Sequence, residues 1–148
     1  VDNIDLEILN CLRKNARMSA SAIGKKINLS VSAVSERIRK LEKQQIINSY
    51  TITLNHNKMG KSLIALIEVS LEHPKYHDLF AETVLKNPDV QSCYYLTGEF
   101  DFFLRILTDS VANLENIHRN IKSMRGVKST KTHFVLKEVK NDLTNTSN

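Results

Sequence analysis

The feature that most constrains this fold is a change of hydrophobic rhythm near residue 60. Up to Leu41, apolar residues recur at helical spacing. From Leu63 onward, runs of β type alternate with two helical stripes. A chain whose period changes part-way cannot keep one architecture throughout, so two small units are expected.

In the first part, Ile4, Ile8, Leu9, Cys11 and Leu12 mark one face of a helix. Asn3 is the expected cap, with Asp5 and Glu7 near the positive end and Arg13-Lys14-Asn15 at the other. A second helix opens at Ser19, capped by Ser19 or Ser21, with Ala22, Ile23 and Ile27 inward. Asn28 falls where that helix must stop, and asparagine tolerates the left-handed conformation of such a turn. Leu29 plugs the turn. Ser30 caps a third helix over Val31–Lys43, with Ala33 at the third position instead of an acid, so no capping box forms. Val34, Ile38 and Leu41 make its buried stripe, and Ile46 and Ile47 close the core. Tyr50–Leu54 alternates and is rich in β-branched residues, which predicts a strand.

Two short helices joined by a tight turn behind a supporting helix make a helix-turn-helix, whose last helix enters the major groove of DNA. Helical geometry then turns Ser32, Glu36, Arg39 and Lys43 outward, flanked by Ser35, Arg37 and Lys40. Ala33 permits close approach to a base edge, and Ser30 and Ser32 can meet phosphate or bases. Lys25, Lys26, Lys40 and Lys43 are placed to grip phosphates. Arg37 and Arg39 can read guanine or pair with phosphate. Glu36 can accept from cytosine or pair with Lys40 one turn on. Charge supports this reading. The net +5 of the chain lies wholly in residues 1–60, which hold ten Lys/Arg against five Asp/Glu, while 61–148 hold eleven of each.

Polar residues 55–62, with Gly60, form the expected linker between a first domain at 1–54 and a second at 63–140. In that second domain Leu63–Leu71 predicts a strand. Pro74 to about Lys86 predicts a helix with Leu79, Phe80, Val84 and Leu85 inward. Val90–Thr97 and Phe100–Thr108 form a hairpin around Gly98-Glu99. A helix carrying Val111, Leu114, Ile117, Ile121 and Met124 ends at Gly126, and Val127–Val139 is a final strand. Residues 141–148 read as a flexible tail. The order β-α-β-β-α-β folds into a four-stranded antiparallel sheet with both helices on one face. The expected fold class is therefore α+β, a helix-turn-helix (winged-helix-like) domain followed by a ferredoxin-like βαββαβ sandwich. Its open sheet face is expected to be weakly charged, which invites a second copy.

Leu29-Ser30, Val34, Arg37-Ile38, Leu41-Glu42, Ile46-Ile47 and Tyr50, with Gly98-Glu99-Phe100-Asp101-Phe102 in the hairpin, resemble the Lrp/AsnC (feast/famine) regulators along essentially the whole chain. Departures are Asn28 and Gln45 where glycine is frequent, and Phe102 where tyrosine is usual. The resemblance implies a sequence-specific, double-stranded-DNA-binding transcriptional regulator. It implies a homodimer that assembles further, often into octamers, with an amino-acid effector between subunits. By motif the effector loop is Thr97, Gly98, Glu99, Phe100 and Asp101, where Gly98 admits a ligand to backbone N–H groups and Asp101 offers a carboxylate to an ammonium. Tyr95, Val111, His133, Phe134 and Val135 match the pocket lining. A plain hairpin turn is the competing reading of the loop.

Some chains of this plan are sirohaem decarboxylases. His56, His73, His77, His118 and His133 show no ligand spacing for that chemistry, and the basic third helix argues for DNA. A DNA-independent amino-acid sensor is the other alternative. No cofactor or metal motif is seen. Cys11 and Cys93 are expected as buried thiols in a reduced compartment. No membrane span or leader is read, so a cytoplasmic, non-enzymatic protein is expected.

Overall fold

The computed structural model describes residues 1–141, so all of the expected tail except Asn141 lies outside the described residues. The chain divides into two compact units, Val1–Thr53 and Leu54–Lys140, so residues 55–62 belong with the second unit.

The first unit holds three helices: α1 (Asn3–Lys14), α2 (Ala20–Ile27) and α3 (Val31–Lys43). Asp2, not Asn3, caps α1. Asp2 and Asp5 form a reciprocal capping box, which satisfies two backbone donors where a lone Asn3 would satisfy one. Ser19 caps α2 and Ser30 caps α3, each accepting from the backbone N–H three residues on. Asn28 stands at φ 58°, ψ 46°, the left-handed stop its position called for. Ile8, Cys11, Ile23 and Val34 form the core, with Leu12, Leu29 and Ile38 packed against it. Ala22 is exposed, and Gly24 takes the buried place beside Ile23.

Two expectations after α3 are corrected. Ile46 lies at the surface while Ile47 is half-buried. Residues 50–54 form no strand, and Ile52 is 77% exposed. A strand needs a paired edge, and the described residues 1–53 contain no other strand to supply one. Just before that segment Gln45 sits at φ 54°, left-handed without glycine's freedom. Replacing Gln45 by Gly should therefore raise stability by up to about 1 kcal/mol. Urea titration should show a later midpoint at an unchanged slope. An earlier midpoint would mean that the Gln45 side chain compensates the strain.

The second unit contains β1 (Leu63–Leu71), α4 (His77–Leu85), β2 (Val90–Tyr95), β3 (Phe102–Thr108), α5 (Val111–Lys122) and β4 (Val127–Phe134). The sheet is four-stranded and antiparallel, in the order β2-β3-β1-β4. Alternation along the strands sends Ala65, Ile67 and Val69 and their neighbours Phe102, Leu104 and Ile106 to the helix side. There they meet Phe80 and Val84 of α4 and Leu114, Ile117 and Ile121 of α5.

Several boundaries and faces differ from expectation. Residues 74–76 form a separate 3-10 turn, so α4 is short. Only Phe80 and Val84, one turn apart, are buried; Leu79 and Leu85 are exposed. β4 ends at Phe134, opposite Ala65 near the start of β1; the last tie is Val135 N–H to Ile64 C=O, 2.9 Å. Leu136 and Val139 are consequently exposed. The open face carries more charge than expected. Beside Ile64, Leu66 and Phe103 it bears Glu68 bound to His133 (2.9 Å) and Arg105 bound to Glu138 (3.0 Å). Cys93 is also corrected: it is exposed, on edge strand β2, whereas Cys11 is buried.

Candidate nucleic-acid interface and effector region

The α2–α3 turn depends on Gly24. A Cβ there would stand 2.5 Å from the Leu29 carbonyl oxygen, and Leu29 N–H donates to the Gly24 carbonyl at 2.9 Å. The backbones therefore meet where no side chain fits. Sequence reading missed this glycine, because an isolated helical glycine signals only a propensity cost.

Helix α3 turns Val34 and Leu41 into the core and leaves Ser32, Ser35, Glu36, Arg39, Lys40 and Lys43 exposed. Lys25 and Lys26, in the last turn of α2, are exposed as well. Ala33 is half-buried, and Ser30 is committed to its cap, with its hydroxyl 3.3 Å from that of Ser32. Glu36 forms its ion pair with Arg39, not with Lys40. Arg39 grips it through two bonds, Nε to Oε2 at 3.1 Å and Nη2 to Oε1 at 2.8 Å. That bond holds the Glu36 carboxyl below its usual range and raises the Arg39 guanidinium. Both side chains are exposed, so solvent screens the pair and it adds little to stability.

Arg37 is placed differently from expectation. Its Nη1 donates to Asp2 Oδ2 at 2.7 Å and to Asp5 Oδ1 at 2.9 Å, so it faces α1 and not outward. The Asp5 backbone N–H, then the guanidinium, hold the Asp2 carboxyl below its usual range. The spacing Asp2-x-x-Asp5 was the available sequence signal for this contact. At the far end of α3, Tyr50 donates its hydroxyl to Glu42 Oε1 at 2.7 Å. Burial first, then that carboxylate, push the phenol up to about 12.

The effector residues expected from resemblance fall into two groups at opposite ends of the sheet. Tyr95, Thr97, Gly98, Glu99, Phe100 and Asp101 lie at the Val69–Leu71 end, where Tyr95 stands across from Phe102 and Phe102 from Val69. Val111, Phe134 and Val135 lie at the other end, where Phe134 pairs with Ala65 and Val135 binds Ile64. Four or five strand residues separate the groups, about 13–17 Å. His133, opposite Leu66, is engaged with Glu68. One small ligand cannot span both groups within a single chain.

Gly98, at φ 111°, gives the hairpin its turn. Asp101 latches the hairpin to β1. Its Oδ2 accepts from Leu71 N–H at 2.7 Å, its N–H donates to the Val69 carbonyl at 2.9 Å, and its carbonyl accepts from Leu96 N–H at 2.8 Å. One carboxylate oxygen is thus committed to the fold. A cavity of about 320 Å³ opens beside it, lined by Leu71, Pro74, Lys75, His77, Asp78, Tyr95 and Asp101. There the His77 ring stands edge-on to Tyr95 at 4.6 Å.

Among the described residues no His, Cys, Asp and Glu side chains group to hold a metal. No helix among them is long and apolar enough to cross a membrane.

Comparison with known proteins bears on both units. Residues 1–42 match the AsnC-type helix-turn-helix domain, and residues 64–144 match the Lrp/AsnC ligand binding domain. The leucine-responsive regulatory protein of Escherichia coli (strain K12) is 34% identical over 143 residues, covering 95% of this chain and 87% of that protein. The protein of the same name from Klebsiella pneumoniae is similar to the same extent. Among solved structures, E. coli AsnC matches with a TM-score of 0.90 at 25% identity, covering 95% of each chain. The transcriptional regulator NMB0573 of Neisseria meningitidis, solved as an L-Met complex, matches with a TM-score of 0.90 at 31% identity, covering 95% of this chain and 93% of that one.

Proposed function

Because the chain belongs to the Lrp/AsnC family of transcriptional regulators, with a helix-turn-helix DNA-binding domain and a ligand-binding domain, we propose how its residues divide the work. Helix α3 reads specific double-stranded sites through Ser32, Ala33, Ser35, Glu36, Arg39 and Lys40. Ser30 at its start and Lys25, Lys26 and Lys40 position the duplex by its phosphates. The observation that carries this reading is the outward face of α3, polar, basic and exposed, directly opposite the stripe that anchors it. The protein acts where chromosomal DNA lies, in the cytoplasm.

An amino acid or related small molecule modulates this binding. The relative solved with L-Met supports an amino-acid ligand. The separation of Tyr95–Asp101 from Val111, Phe134 and Val135 supports a site completed by a second copy, in a homodimer or an assembly of dimers such as an octamer. The apolar residues Ile64, Leu66 and Phe103 on the open sheet face, and exposed Tyr94 on β2, give such a copy something to bury. Ligand binding then alters DNA affinity to the extent that the ligand prefers one assembly over another.

The test is selection of bound sites from random DNA, repeated with and without a panel of amino acids. A defined consensus should emerge. The logarithm of affinity should fall linearly with log salt, at a slope of about −0.9 per phosphate contacted. Alanine at Lys25 or Lys26 should each flatten that slope by about 1 and weaken selected and unselected DNA alike. No consensus together with a flat salt response would sink the DNA assignment. An amino-acid panel that changes neither DNA affinity nor oligomer size would sink the effector assignment alone.

A further inference from the structure

We propose that Arg37 is a positioning residue for DNA recognition, fixing the angle of α3 through the two carboxylates that cap α1, and that it takes no part in gripping DNA. This rests on the reading of α3 as the helix that enters the groove.

The bonds around it form a closed set. Asp2 Oδ1 accepts from Asp5 N–H at 2.8 Å, and Asp5 Oδ2 accepts from Asp2 N–H at 3.0 Å. Each carboxylate therefore has one oxygen spent on the capping box and one left. The two remaining oxygens, Asp2 Oδ2 and Asp5 Oδ1, both receive Arg37 Nη1. The capping box orients the acceptors before the arginine arrives, so the pairing orders little besides the arginine itself.

Placement on α3 agrees. At 100° per residue, Arg37 lies about 65° from the centre of the Val34–Ile38–Leu41 stripe, whereas Arg39 and Ser32 lie about 135° and 155° from it. Its side chain is 31% exposed against 64% for Arg39, and Asp5 is 16% exposed. The guanidinium is already held between two negative charges. A phosphate arriving there meets no free cation and must compete with both.

The rest of the α1–α3 contact is apolar, around Ile8, Val34 and Ile38. Apolar contact is non-directional and lets helices slide or roll by small amounts. Charged hydrogen bonds are directional. Arg37 supplies the angular restraint, and a reading helix needs one because base-edge hydrogen bonds tolerate little misplacement.

The test uses the full-length protein and two DNAs: a site selected from random sequence by the wild type, and poly(dI-dC). The readouts are the ratio of the two affinities and the salt slope. Variants are Arg37→Met, Arg37→Lys, the pair Asp2→Asn with Asp5→Asn, and the triple Arg37→Met, Asp2→Asn, Asp5→Asn. Asparagine caps a helix as well as aspartate, so the pair removes charge without uncapping α1. The ratio should fall about tenfold in Arg37→Met and about tenfold in the paired variant, and no further in the triple, because all three lose the same restraint. Arg37→Lys should recover part of the ratio, since a single nitrogen bridges both acids. The salt slope should stay at the wild-type value throughout.

A slope flatter by about 1 in Arg37→Met, with the ratio of the paired variant unchanged or increased, would overturn the proposal and make Arg37 a phosphate contact. If Arg37→Met does not fold, the paired variant decides by the same ratio. If the wild type selects no site, the underlying reading of α3 fails instead, which keeps the two failures distinct.

Discussion

Gly24→Val is expected to remove site-specific DNA binding while leaving the second unit folded. Two effects oppose each other at this position. Any side chain in place of glycine gains helix propensity, worth about 1 kcal/mol for alanine and less for β-branched valine. Against this, the new Cβ meets the Leu29 carbonyl oxygen at 2.5 Å. That atom is backbone, fixed by the Gly24–Leu29 hydrogen bond and by the left-handed Asn28 beside it, so it cannot swing away as a side chain would. Separating α2 from the turn by even a few tenths of an ångström displaces the start of α3, where Ser30 and Ser32 stand. The steric effect wins, at about 3 kcal/mol of stability in the first unit. Affinity for the selected site should fall on the order of a hundredfold. Gly24→Ala should show the same effect in milder form. Gel shift and thermal melting check both; an alanine variant that binds as tightly as wild type would show that the turn can absorb a methyl group.

The second large effect is expected from Gly126→Ala, in the other unit. Gly126 ends the approach to β4 at φ 87°, and its carbonyl accepts from Glu72 N–H at 2.8 Å. Alanine at that φ costs about 1–2 kcal/mol on backbone grounds alone. In addition, the built Cβ would stand 2.5 Å from Tyr76 Cβ and 2.7 Å from its Cδ2. Tyr76 Cβ is fixed to the chain, so rotation of the side chain does not clear the space. Together the two effects amount to about 3–5 kcal/mol, a large part of the stability of a small domain. Soluble yield and melting temperature should both drop. Adding Tyr76→Gly, which removes the Cβ as well as the ring, should restore about 1–2 kcal/mol by relieving the clash while leaving the φ strain. If the second change brings no recovery, the backbone conformation alone explains the loss.

Much of this architecture was legible in the residues, and the reasons it was are local. Asn28, Ser19 and Ser30 announced the helix ends because capping chemistry depends on the residue itself. Leu63–Leu71 was legible to the residue because a run buried on one face and bounded by polar residues has one reading. What escaped depends on partners far along the chain. Tyr50–Leu54 has the pattern of a strand, but no described strand pairs with it. Leu79 and Leu85 look like core until the packing of α4 selects the Phe80–Val84 face. The charge on the open sheet face was hidden because Glu68, Arg105 and His133 are distant in sequence and come together only through register.

The proposed site was legible in the same uneven way. Exposure of Arg39 and Lys40 follows from helical period, whereas the capture of Arg37 by Asp2 and Asp5 needs the packing angle of α1 on α3. The effector residues form a single set by motif. Strand register sorts that set into two, because Phe134 pairs with Ala65 while Tyr95 sits across from Phe102, itself across from Val69.

That sorting has a consequence for how such a regulator answers its surroundings. If the effector site is completed by a second copy, as proposed, it does not exist in a lone chain, and its occupancy depends on protein abundance as well as on metabolite level. Synthesis and dilution of the regulator then become inputs to the same circuit. At a fixed nutrient supply, a growing cell that halves its stock of the protein would lower the fraction of chains able to sense anything. The threshold for response would be set partly by the gene's own output, and autoregulation of that gene would tune sensitivity as well as amount.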